Sequence, residues 1–161
     1  MLQRQPDFPP LFELGFHHLS MEAIEDKCVN QFPLSSTRKL IMEGFRRFVE
    51  RLADCGVDGE IWVDGSFTTE KIDPKDIDVV VRCDGTRYNA DERYREIVNW
   101  VIENQKAELK CDSYALLEYP EGHELHEEGG WWHAYWKVKW GFSREEDPKG
   151  IVVVKLEGEP K

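Results

Sequence analysis

The run Ile77-Asp78-Val79-Val80-Val81-Arg82-Cys83 constrains this chain more than any other segment. Its β-branched and apolar residues suit a central strand of a sheet. A buried strand tolerates little charge, yet this one opens on Asp76 and carries Asp78. Side chains two apart on a strand share a face, so the two carboxylates lie together while Ile77 turns into the core. Adjacent carboxylates repel unless a cation lies between them. Mg²⁺ is typically held by one or two carboxylates, with water and substrate phosphate completing its oxygen shell. The segment therefore predicts a metal-dependent site as well as a sheet.

A second short strand, residues 60–64 (EIWVD), comes before it and stops at Gly65-Ser66. Gly65 has no Cβ, so the backbone can turn sharply there and approach a ligand closely. Ser66 adds a hydroxyl and an N–H, and backbone N–H groups at such a turn suit phosphate oxygens. Asp73-Pro74-Lys75 reads as the turn that delivers the chain to the strand. An EF-hand reading of Asp73, Asp76 and Asp78 fails, because the loop lacks the required Gly and IDVVV is a strand.

Around this centre the elements alternate. Residues 1–20, with Pro6, Pro9 and Pro10, predict an extended lead-in. Residues 20–30 predict a short helix capped by Ser20. Residues 36–55 predict an amphipathic helix with Ile41, Phe45, Phe48 and Leu52 on one face. Ser35 or Ser36 caps its start and Gly56 closes its end. Residues 89–105 predict another helix, with Asn89 and Glu92 as a capping box and Tyr94, Ile97, Val98, Val101 and Ile102 as its buried stripe. Residues 112–118 (DSYALLE) and 151–156 (IVVVKL) read as strands, with a polar, turn-rich stretch over 119–130. The order predicts one α+β domain, an α/β sandwich with a mixed sheet flanked by helices.

At 161 residues the chain is long enough for one real core. Its formal net charge of −11, with no Lys or Arg run, argues against a broad nucleic-acid surface. The four cysteines are far apart and lack a CxxC pair, which disfavours a zinc ribbon and fits reduced thiols. The opening MLQRQPDFPP has no apolar h-region and no stretch approaches eighteen apolar residues, so the expectation is a soluble, cytoplasmic protein with no membrane partner.

Weaker signals sit towards the C-terminus. His123, Glu124, His126 and His133 do not follow HExxH spacing and read as a solvated loop. The segment 131–142 (WWHAYWKVKWGF), at the head of an aromatic and strand tail over 131–161, reads as either a helix or a strand, with the helix favoured. Its aromatics have three readings: core packing, a base-stacking platform or a partner surface. Arg144 and Lys149 are solvent-facing charges by default, but their cationic groups suit a triphosphate.

The central segment resembles the hallmark of the polymerase-β-like nucleotidyltransferase superfamily: a Gly-Ser turn, then Asp-x-Asp between hydrophobic residues. Here nine residues separate Ser66 from Asp76, and Ile77 and Val79 are the hydrophobic neighbours. More broadly the chain looks like a group of short bacterial and phage nucleotidyltransferase-like proteins. The residues that carry this likeness are Pro9-Pro10, VDGSF over 63–67, DIDVVV over 76–81, and Arg144 followed by Lys149-Gly150-Ile151, with an FG element inverted to Gly141-Phe142. The resemblance implies a nucleotidyltransferase fold, with Asp76, Asp78 and Asp112 as catalytic residues that bind Mg²⁺ (or Mn²⁺). Gly65 and Ser66 would hold the β- and γ-phosphates of an NTP. The acceptor would be a protein, a tRNA or a small molecule, in a toxin–antitoxin or phage-defence setting, and a homodimer or a toxin partner would complete the site. Two rivals accompany this expectation: a non-catalytic binding module acting through the aromatic C-terminal region, and a metal-dependent hydrolase.

Overall fold

The computed structural model describes residues 7–158. Pro6 and the rest of the first six residues of the expected lead-in lie outside them. The elements run β1 (Gly15–His18), α1 (Met21–Glu25), α2 (Arg38–Asp54), β2 (Gly59–Asp64), β3 (Ile77–Asp84), α3 (Gly85–Ala90), α4 (Glu92–Ile102), α5 (Lys106–Leu109), β4 (Cys111–Glu118), α6 (His126–Trp140) and β5 (Gly150–Leu156). The fold is α+β with a five-stranded mixed sheet in the order β1-β5-β2-β3-β4. Two strand pairs are parallel, β1 with β5 and β3 with β4, and β2 is antiparallel to both of its neighbours.

Strand alternation sorts the core into two layers. Ile61, Val63, Ile77, Val79, Val81, Val152 and Val154 point to one face, where α2 and α4 cover them. On α2, Ile41, Phe45, Phe48 and Leu52 are all buried, so the expected stripe is the contact face. Trp62, Val80, Leu116, Ile151 and Val153 point the other way and pack against Trp136 and Trp140 of α6. The aromatic segment is thus divided by its helical period. Trp136 and Trp140 are core, while Trp131, Trp132 and Tyr135 face outwards.

Several local expectations are met and others are corrected. Ser20 caps α1 by accepting from Ala23 N, although the helix continues as a π-helical turn over Asp26–Asn30. Ser35 Oγ accepts from Thr37 N and Arg38 N at the start of α2, and Gly56 follows it with φ 76°. The lead-in is not merely extended. Four of its residues form β1, a short edge strand whose sequence (GFHH) lacks an apolar alternation to announce it. The helix expected over 89–105 is two helices. Asp91 leaves helical geometry (φ −116°, ψ 112°) and caps α4 by accepting from Arg93 N and Tyr94 N, so Asn89 belongs to the preceding helix and forms no capping box. Ile102 is 52% exposed, because α4 ends there at the margin of the sheet. The polar stretch 119–130 is turn only as far as Leu125, since α6 begins at His126.

One buried charge joins these layers to the turn after β2. Arg38, in the first turn of α2, is fully buried. Its guanidinium donates to the carbonyls of Cys28 (2.7 Å), Phe67 (2.7 Å), Thr69 (2.7 Å) and Lys71 (3.2 Å from Nε). It also stacks on Phe32, 3.7 Å from the ring centre. No other side chain offers five donors in a rigid planar fork. Arg38→Ala is expected to lower unfolding free energy by about 3 kcal/mol or more, because several buried carbonyls lose a charged donor at once. Urea denaturation of wild type and variant checks this.

Candidate active site

The register of three strands assembles the site. Asp64 of β2 pairs with Asp78 of β3, and Asp78 pairs with Asp112 of β4. Each is an even number of residues from Trp62, Val80 or Leu116, which point to the α6 face. The three carboxylates therefore stand abreast on that face, on strands about 4.8 Å apart. Asp76, one residue before β3, joins them in the same cleft.

This crowding is electrostatically costly. Burial pushes the Asp78 carboxyl up to about 7, and the charges of Asp76, Asp112 and Asp64 push the same way against the pull of Lys149. Burial also pushes Asp64 up to about 6, opposed by Lys149 and by hydrogen bonds from Gly65 and Thr68. Partners hold the row in place. Lys149 Nζ lies 2.8 Å from Asp64 Oδ2, and Lys106 Nζ lies 3.2 Å from Asp76 Oδ2. Asn104 Nδ2 donates to Asp112 Oδ1 at 2.6 Å. Among the described residues no three His, Cys, Asp or Glu side chains are gathered into a ready-made ion cage. The lysines and Asn104 hold the carboxylates instead. The donor set itself suits a hard divalent cation, since it offers only carboxylate oxygens and Asp78 is surrounded by like charge.

Gly65 sits against this row. Its φ of 89° and ψ of −164° belong to a region essentially reserved for glycine. A Cβ there would lie 2.5 Å from Asp78 Oδ2. The turn and the carboxylates share a cleft of about 1030 Å³, which Lys71, Lys75, Lys106, Lys139, Arg144 and Lys149 line with positive charge. These six cations stand among seven carboxylates, because Asp7, Glu145 and Asp147 line the cleft together with Asp64, Asp76, Asp78 and Asp112.

All seven residues singled out in the sequence line this cleft: Gly65, Ser66, Asp76, Asp78, Asp112, Arg144 and Lys149. Arg144 is exposed, as expected of a loop charge. Lys149 is not solvent-facing, because its ammonium is drawn onto buried Asp64. Asp64 was not foreseen, nor were Lys106 and Asn104. Asp64 shares a strand face with Trp62, a hint available from alternation, but its place opposite Asp78 follows only from the register. The histidines stay apart from the cleft. His126 bonds Tyr119 O, and His133 contacts Glu118, which also pairs with Arg82.

The fold and site thus define an α+β protein whose sheet presents an aspartate row to a cleft lined by charges of both signs. The chain belongs to a family of unknown function, DUF6932, whose profile matches residues 6–155. No curated protein and no solved structure matches it. Among the described residues, no helix is long and apolar enough to cross a membrane.

Two outcomes follow from the geometry. Gly65→Ala is expected to destabilise the protein by about 1–3 kcal/mol through backbone strain and to displace Asp78, which chemical denaturation with metal titration will register. Asp78→Asn is expected to raise the melting temperature of the metal-free protein. A carboxyl raised on folding binds its proton more tightly in the native state than in the unfolded one, so its ionisation lowers stability as pH rises from about 4 through about 7. The gap between variant and wild type should therefore be small at pH 4, widen towards pH 7 and then level off. Thermal scans across pH will reveal it.

Proposed function

We propose that this protein is a metal-dependent nucleotidyltransferase that moves a nucleoside monophosphate from an NTP to a hydroxyl acceptor. One observation carries the reading: the Asp64–Asp78–Asp112 row, with Asp76 beside it, lies directly against the Gly65–Ser66 turn in a cleft that six Lys and Arg side chains also line. Asp76, Asp78 and Asp112 would hold Mg²⁺ or Mn²⁺, which when bound neutralises charge on the phosphates and lowers the pKa of an oxygen nucleophile. Gly65 and Ser66 receive the β- and γ-phosphates, and Lys75, Arg144 and Lys149 balance their charge. Asp112 takes the proton of the acceptor hydroxyl. The acceptor oxygen bonds to the α-phosphorus, the bond from that phosphorus to the bridging oxygen breaks, and pyrophosphate leaves. Catalysis here consists of positioning and charge neutralisation.

A protein or small-molecule acceptor fits the acidic chain better than a long RNA such as tRNA. A module that modifies a toxin or defence partner is consistent with the resemblance to short bacterial and phage nucleotidyltransferase-like proteins. A second reading, a binding module on the same fold, is favoured by one observation. Trp131, Trp132, Tyr135 and Val138 are exposed on α6, and Trp132 also lines an apolar cavity of about 390 Å³ between α6 and β4. A partner bound there would survive loss of the aspartates.

The test is label transfer from α-labelled ATP, CTP, GTP and UTP, with Mg²⁺ and cell extract as acceptor. Wild type should transfer label and release pyrophosphate, and Asp76→Ala/Asp78→Ala should lose at least about a hundredfold in rate. Absence of both transfer and metal-dependent NTP binding in wild type would reject the enzyme reading and leave the binding module.

A further inference from the structure

Two aromatic rings are exposed inside the charged cleft and take no part in either core layer. Phe8 is 38% exposed and Phe142 is 42% exposed, and both line the cleft. They come from opposite ends of the chain. Leu11 N donates to Thr68 O and Glu70 N donates to Pro9 O, so the segment after Phe8 runs antiparallel to Thr68–Glu70, and Phe8 lies beside Lys71, whose Nζ is 5.8 Å from its ring centre. Phe142 opens a tight loop closed by Ser143 N donating to Asp147 O and Lys149 N donating to Gly141 O. Glu145 N donates to Asp7 Oδ2 at 3.2 Å, which ties the two segments together at the rim. Apolar rings left in water among lysines and aspartates gain most from a planar partner that covers them. A nucleobase is such a partner, and base–aromatic stacking tolerates any base because each has a π face.

We infer that Phe8 and Phe142 form the nucleobase end of the cleft, with the triphosphate running inward from them to the aspartate row. The inference rests on the NTP reading of the site and extends it to the other half of the substrate. It also separates this role from the exposed tryptophans. Trp131 and Trp132 lie on α6 outside the cleft lining and do not stack the base. Recognition is by ring face, so the four common bases are bound alike.

The experiment is calorimetric titration of the full chain with the Mg²⁺ complexes of ATP, CTP, GTP and UTP, and with Mg²⁺-tripolyphosphate, which has no base. Wild type, Phe8→Ala, Phe142→Ala and the ring-retaining Phe142→Trp are compared, each first checked for folding by circular dichroism. The expected result is NTP binding weaker by about tenfold in each Ala variant, near wild type in Phe142→Trp, and within about threefold across the four bases. Tripolyphosphate affinity stays unchanged throughout. Equal losses for NTP and tripolyphosphate would overturn the inference, since the rings would then only shape the cleft. Unchanged NTP binding in both Ala variants would also overturn it, while leaving the nucleotidyltransferase reading intact. Failure of wild type to bind either ligand would overturn that underlying reading, and the base site with it.

Discussion

Everything at the candidate site depends on the pairing register of β2, β3 and β4. Strand side chains alternate, so a slip of one residue would send a strand's whole α6-facing set into the opposite layer. The charged residues oppose this, because a slip would carry Asp64, Asp78 and Arg82 into the apolar layer under α2 and α4 without partners. The same alternation that builds the core therefore aligns Asp64, Asp78 and Asp112. The site needs no separate scaffold. It is the end of the sheet, where the α6-facing row changes from tryptophan, valine and leucine to aspartate.

Arg38 supports this arrangement from the other layer. By drawing the carbonyls of Phe67, Thr69 and Lys71 onto one guanidinium, it gives the loop after Gly65 a fixed curvature. Asp73 adds a local tie, accepting from Ser36 N at 2.8 Å. The loop between the Gly65–Ser66 turn and Asp76 is thus braced against α2. On the proposed function this matters chemically, because catalysis by positioning tolerates little play in the groups that position.

What the sequence reveals and what it hides follow one rule. Features carried by contiguous residues are legible: the apolar stripe of α2, the β-branched run of β3, the Gly65–Ser66 turn, and Asp76 with Asp78. Features created by pairing distant residues are not. Asp64 becomes part of the row only when β2 lies beside β3, and Lys149 reaches it only because β5 lies beside β2. The break at Asp91 was missed because the apolar period continues in α4 while one backbone conformation interrupts the helix. The short strand β1 escaped because its neighbour β5, not its own pattern, makes it a strand. The aromatic segment fits a helix or a strand by its pattern alone, and both its helical form and its division into buried and exposed rings depend on the sheet beneath it.

The cysteines have a practical consequence. Cys28, Cys83 and Cys111 are buried, and burial pushes each thiol up to about 12. Cys55 alone among the four is exposed. It stands at the C-terminal end of α2, a helix of 17 residues and about 25 Å whose first turn braces the cleft through Arg38. Nature has supplied a single addressable attachment point on a rigid lever, at the opposite end from the cleft. A fluorophore placed there would report movements of the layer without touching the cleft.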